Sequence, residues 1–355
     1  MIEKSLIVFI AALLLTACSL PARSTNPLNS SGGSATSAVT IASPTASAAA
    51  GSLPTQTADA TETYGGNLDK SDYQFTITYQ GIERRYNVHL PKNYDKNVPT
   101  PAVMYLHGGG GSLKSGYLDG LVKYSDKHNF ILVLPEGTGP IPGILLQWNI
   151  GKYKDSYPTK HNIDDVGYIS KVIDDVSVHF NLDKTRIYAT GISNGAAMAE
   201  LLACQLSDKI AAVSLVAPSW KFDDCAPERK IPVMIIRGTA DPIALYDGGV
   251  RTNSPVANGV TTDSAQEIVD FWREKNNCSA DSSIVYQNGS ATCRDYKDDQ
   301  GNPMVEFCSI IGGGHTWPSG DQYAPASKVG PVSYDMSTDQ IWDFFQRYSL
   351  GGFKS

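Results

Sequence analysis

The sequence predicts an α/β domain whose sheet is mostly parallel and covered by helices on both faces. Three observations carry that expectation. Short, unbroken apolar runs recur along the chain, as expected of strands buried on both sides. Stretches of helical periodicity alternate with them, which is the pattern of crossover units. The residues able to do chemistry fall just after the apolar runs, where the carboxyl ends of parallel strands place ligands.

The elements follow in chain order. Residues 73–79 and 85–90 alternate apolar and polar side chains around Gln80-Gly81, predicting an antiparallel pair at one edge. Residues 102–106 and 131–134 are continuous apolar runs, and 186–190, 211–216 and 233–236 repeat them. Residues 304–310 form a last strand. Val166, Ile169, Val172, Ile173, Val176 and Phe180 recur at helical spacing behind Asp164-Asp165, carboxylates that suit a helix start. Residues 195–206 are rich in Ala, Met and Leu and predict a buried helix. Residues 264–275 and 337–348 are amphipathic.

The chain has 355 residues with 29 basic and 36 acidic side chains, a net charge of −7. That mild acidity argues against a nucleic-acid partner, which calls for clustered Lys and Arg. Only 18% of residues are charged, and the deficit has a location. Between residues 1 and 63 only Glu3, Lys4, Arg23, Asp59 and Glu62 are charged. The run Leu6 to Leu15 is too short to span a bilayer but fits an export signal over residues 1–17. Leu15-Thr16-Ala17-Cys18 resembles a bacterial lipobox, so Cys18 is expected to carry lipid and to be the only link to a membrane. Residues 18–63 are expected to be a tether, since 36 of the 45 residues from Ser19 to Thr63 are Ser, Thr, Ala, Pro, Gly or Asn. Residues 64–355 remain as one folded domain in an extracytoplasmic setting.

Gly191-Ile192-Ser193-Asn194-Gly195 follows one predicted strand and opens the Ala-rich helix. A nucleophilic Ser needs such a turn: flanking glycines avoid clashes, and the helix N-terminus favours developing negative charge. A Ser hydroxyl also needs a base. His315, in Gly312-Gly313-Gly314-His315-Thr316-Trp317-Pro318 after the last strand, is the candidate, while His89, His128 and His179 suit structural roles. The orienting acid is expected at a strand end between them. Asp241 in Gly238-Thr239-Ala240-Asp241-Pro242 fits, with Asp247 as the rival. Oxyanion donors are expected from the N–H of Asn194 and from the run His107-Gly108-Gly109-Gly110-Gly111. Gly109 is assigned, Gly110 is the alternative, and His107 is expected to brace the loop.

Together with Trp148-Asn149, Asp164-Asp165-Val166-Gly167-Tyr168 and Arg186-Ile187-Tyr188, these motifs resemble the polyhydroxybutyrate depolymerase and feruloyl esterase family of α/β-hydrolases. The resemblance runs from about Tyr73 to Tyr348. It implies an α/β-hydrolase fold and a serine esterase in which Ser193, Asp241 and His315 are nucleophile, acid and base. It implies polyester, hydroxycinnamoyl-sugar or acetyl-xylan substrates, an acyl-enzyme, and no metal or organic cofactor. The competing function is a non-catalytic lipoprotein that uses the same cleft to bind a glycan or polymer.

Trp148 and Trp317 are candidate substrate-cleft walls, with core positions as the alternative. Asp164 and Asp165 are expected to cap and brace rather than to hold a metal with His161. Five cysteines remain beyond Cys18. Cys204 with Cys225 and Cys278 with Cys293 are the expected disulfides, leaving Cys308 as a buried thiol.

Overall fold

The computed structural model describes residues 71–252 and 258–354. The export signal, the lipobox Cys18, the tether and the expected domain start at residue 64 lie outside the described residues. Among the described residues no helix is long and apolar enough to cross a membrane.

The described chain is organised on a ten-stranded sheet. In chain order its strands are β1 (Asp72–Tyr79), β2 (Ile82–His89), β3 (Thr100–Leu106), β4 (Ile131–Pro135), β5 (Leu182–Ile192), β6 (Ala212–Val216) and β7 (Val233–Gly238). Two short strands, β8 (Gly249–Val250) and β9 (Thr261–Thr262), pair with each other. The main sheet resumes with β10 (Cys278–Asn288), β11 (Ala291–Asp298) and β12 (Pro303–Ile310). Its order is β1-β2-β4-β3-β5-β6-β7-β12-β11-β10. The central pairs from β4 through β12 are parallel. The expected antiparallel strands form the N-terminal edge.

Both faces of the parallel strands are covered. Along β3, Ala102, Met104 and Leu106 belong to one apolar cluster, while Val103 and Tyr105 belong to the other. Alternate side chains of a strand point to opposite faces, so an unbroken apolar run feeds two cores at once. The Asp165–His179 helix packs into the first cluster through Tyr168, Ile169, Val172, Ile173 and Val176. The Thr338–Phe345 helix packs into the second.

The opposite edge departs from expectation. There β10 and β11 form an antiparallel hairpin that the apolar pattern did not reveal. Most of β10 is exposed, so the strand lacks the apolar alternation by which a half-buried strand is recognised. The hairpin also overturns one disulfide. Cys204–Cys225 forms as expected, but the second bridge is Cys293–Cys308. Cys293 and Cys308 are register partners on β11 and β12, whereas Cys278 lies opposite Asp298 at the far end of the hairpin. Among the described residues Cys278 is therefore the free thiol, and burial pushes it up to about 11.

Candidate active site

Four parallel strands deliver the site from their carboxyl ends. β3 leads into the His107–Gly111 run, β5 into Ser193, β7 into Asp241 and β12 into His315. Neighbouring strand ends thus bring together residues that lie up to 208 positions apart in the chain.

Ser193 occupies the corner between β5 and the Asn194–Gln205 helix, with φ of 58° and ψ of −118°. A side-chain-bearing residue in that region carries strain on the order of 1–3 kcal/mol. The turn is held by the Ser193 N–H donating to Val216 O at 2.9 Å. The flanking glycines are dictated by crowding. A Cβ on Gly191 would lie 2.5 Å from Leu106 O, and one on Gly195 only 2.0 Å from the same atom. Buried Ala196, Ala197, Ala199 and Ala203 then let the helix settle closely on the sheet.

The candidate acid and the candidate base lie in contact. His315 Nδ1 lies 2.8 Å from Asp241 Oδ2, and both side chains are almost wholly buried. A carboxylate oxygen can only accept, so Nδ1 carries the proton and Nε2 is left as an acceptor. The other Asp241 oxygen accepts the N–H groups of Ile243 at 2.7 Å and Ala244 at 2.8 Å. Two buried arginines lock that loop. Arg237 donates to Pro218 O, Ala244 O and Leu245 O, and Arg251 donates to Ile243 O and to Ser219 Oγ. Burial lowers the Arg237 guanidinium to about 10, with Asp241 acting in the opposite sense. Asp247 makes no bond with His315 among the described residues. The His315 backbone is tied down by its N–H to Val329 O and by Tyr323 Oη donating to its carbonyl at 3.0 Å.

The glycine-rich run lies against the Ser193 turn: a Cβ on Gly108 would be 3.7 Å from that of Ser193, and one on Gly109 3.6 Å from that of Asn194. His107 braces the run. Its Nε2 accepts the Gly137 N–H at 3.0 Å, so its Nδ1 is the donor to Gly108 O at 2.8 Å. Gly111 N–H donates to the same carbonyl at 2.9 Å. In a planar peptide the Gly108 carbonyl and the Gly109 N–H point in opposite directions, so anchoring one aims the other. Gly110 N–H is taken up by Leu146 O at 2.8 Å, which leaves Gly109 as the available amide of the two. Burial lowers the His107 imidazole to about 4, keeping it neutral. The Asn194 N–H opens its helix and has no partner one turn back.

Trp148 and Trp317 are not cleft walls. Each is 1% exposed. Trp148 donates its indole N–H to His107 O at 2.9 Å, and its backbone N–H and carbonyl are both bonded to the Asn194 side chain. Trp317 donates to Thr338 Oγ1 and stands edge-on to Tyr105. Each indole finds its polar partner inside the protein, so neither face is offered to a ligand.

The acidic pair braces, as expected. Asp164 caps its helix by accepting the Gly167 N–H at 2.8 Å. Asp165 pairs with buried Arg84 at 2.7 Å and accepts the Asn149 N–H, anchoring the segment that carries Trp148. Among the described residues one group, Cys293, Glu306 and Cys308, has metal-ligand proximity, but its two sulfurs are joined to each other. Sequence reasoning missed Arg237, Arg251 and Arg84. The signal for Arg237 was present, since a cation closing the apolar run Val233-Met234-Ile235-Ile236 must find partners inside.

Residues 151–269 match the family described as Esterase PHB depolymerase. Feruloyl esterase B of Piromyces equi is 29% identical over 75% of this chain and 46% of its own length. Feruloyl esterase D of Neurospora crassa is 24% identical over 77% and 85%. The chain thus spans just under half of the first relative and most of the second. The solved acetyl xylan esterase from Aspergillus awamori superposes with a TM-score of 0.52 over 77% of this chain and 98% of that one, at 12% identity, a likeness of fold. With the strand-end placement of its site, the chain has an α/β-hydrolase fold and is similar to the polyhydroxybutyrate depolymerase and feruloyl esterase type of that fold.

Proposed function

We propose that this chain is a serine esterase that works through an acyl-enzyme, exported and held to a membrane by lipid on Cys18. The observation that carries the mechanism is the 2.8 Å Asp241–His315 bond at the same sheet edge as the strained Ser193 corner. Ser193 Oγ attacks the ester carbonyl while His315 Nε2 takes its proton, and Asp241 stabilises the resulting imidazolium. The tetrahedral oxyanion rests on the Asn194 and Gly109 N–H groups. Collapse breaks the bond to the alcohol, which leaves with the proton from Nε2 and creates the acyl-Ser193 ester. Water then gives a proton to Nε2 and attacks, and the acid departs as Ser193 recovers its hydrogen. The names of the relatives support feruloyl or acetyl esters of sugars as substrates, and the matched family supports hydroxyalkanoate oligomers. The Leu15-Thr16-Ala17-Cys18 run supports the lipid anchor.

The test is a panel of p-nitrophenyl acetate, methyl ferulate, acetylated xylan and hydroxybutyrate oligomers on the wild type and Ser193→Ala. The variant is expected to lose at least about a thousandfold in kcat on every ester that the wild type cleaves. Equal rates in the two proteins would overturn the mechanism.

A further inference from the structure

Beside the glycine-rich run, a hairpin segment carries a side chain that the mechanism above does not use. The segment is bridged at Thr138 to Gln147 and at Ile141 to Ile144, and Gly111 is bridged to Leu146, so the hairpin is stitched to the oxyanion loop. At its base Thr138 and Gln147 exchange both backbone bonds, each at 2.9 Å. Directly opposed residues in such a pair put their side chains on one face. The Gln147 side chain therefore shares a face with the Thr138 hydroxyl, which is buried and unpartnered.

The carboxamide of Gln147 reaches the oxyanion loop. A Cβ built on Gly109 would lie 3.9 Å from Gln147 Nε2 and 3.6 Å from Asn194 Cβ, so the amide nitrogen, Gly109 and Asn194 converge on one spot. Gln147 is half-buried, and among the described residues its side-chain amide makes no hydrogen bond. A placed amide next to two unpaired backbone N–H groups has donor capacity that no hydrogen bond among the described residues uses. The neighbouring Leu145 has φ of 53°, a costly conformation for a bulky residue, where the chain turns in towards Gly110.

We propose that Gln147 is a third oxyanion donor: its Nε2–H bonds the developing alkoxide oxygen of the tetrahedral intermediate alongside Gly109 and Asn194. The inference rests on the esterase reading above and adds a side-chain donor to a hole otherwise built from backbone. A donor aimed at charge that exists only in the transition state acts on kcat rather than on KM.

The experiment compares wild type, Gln147→Ala and Gln147→Met on p-nitrophenyl acetate, with inhibition by a trifluoromethyl ketone that adds to Ser193 as a tetrahedral alkoxide. Because the Thr138–Gln147 pairing is made by backbone atoms, both variants are expected to keep the wild-type melting temperature within a few degrees. The expected result is a fall in kcat of about 10- to 100-fold with KM within about twofold. Affinity for the ketone should weaken by the same factor as kcat/KM. Unchanged kcat and ketone affinity in Gln147→Met would overturn the proposal. So would a loss of kcat with ketone affinity intact, since that separates the side chain from the oxyanion. Failure of the esterase reading is read separately, from the wild type against Ser193→Ala: equal rates there remove the reaction itself, whatever Gln147 does.

Discussion

On the acid–base side of the site, Asp241 and His315 are fixed through their own side chains, bonded to each other and to a loop clamped by Arg237 and Arg251. On the oxyanion side, the Gly109 and Asn194 amides are main-chain groups, aimed indirectly by His107, Gly111 and Trp148. The first half depends on which residues are present. The second depends on how a stretch of backbone is held. Damage to the first should therefore be abrupt and chemical, and damage to the second partial and coupled to stability.

The sharpest way to break the contrast is Asp241→Asn. The amide keeps an acceptor for Ile243 and Ala244 but cannot stabilise an imidazolium as a carboxylate does. A fall in kcat of about a thousand- to ten-thousandfold is expected, with an unchanged circular dichroism spectrum. A loss of less than about tenfold would mean that the acid–base half tolerates rewiring after all.

A smaller effect is expected at the oxyanion half. His107→Ala removes one of the two donors to Gly108 O and leaves the Gly137 N–H without its acceptor. The orphaned N–H costs about 1–3 kcal/mol, and a loosened Gly109 amide is expected to lower kcat about tenfold. Its pH signature is distinctive. His107 titrates at about 4 in the folded chain against about 6.5 when unfolded. Below 6.5 the unfolded chain binds a proton that the folded chain refuses until 4. Stability is therefore lost as pH falls from 6.5 through 4, and this component should vanish in His107→Ala. Melting temperatures across that range measure it, and an identical acid slope in both proteins would remove His107 as the brace.

The smallest effect lies outside both halves. Glu200 is buried two turns along the helix that Ser193 opens, and burial raises its carboxyl to about 8. One oxygen accepts the Trp272 indole N–H at 3.2 Å, and the other has no partner. The folded chain holds a proton there that the unfolded chain releases near 4.5, so stability declines as pH rises between 4.5 and 8. Glu200→Gln should melt a few degrees higher at pH 8, gain less at pH 5 and leave kcat unchanged. A change in kcat would show that the helix transmits strain to Ser193.

How much of this was legible in the sequence tracks the same division. The parallel strands announced themselves because both their faces are apolar, and Ser193, Asp241 and His315 because their residue types sit at strand ends. Gly109 against Gly110 could not be resolved, since the choice depends on Leu146 O taking one of two adjacent N–H groups. Trp148 and Trp317 were open between cleft and core because an indole with a buried partner and one facing a ligand look alike in one dimension. The β10–β11 hairpin escaped because β10 is exposed, and with it the partner of Cys293.

By itself, then, the sequence determined the alternation of strands and helices, the strained Ser193 corner and the candidate acid and base. Those rest on local periodicity, glycine spacing and side-chain chemistry, all of which are written residue by residue. Only the tertiary structure decided which glycine amide is left available, which cysteines meet, and which arginines hold the Asp241 loop. Those outcomes depend on strand register and on backbone groups shared between distant segments, and every residue contributes the same N–H and carbonyl whatever its side chain.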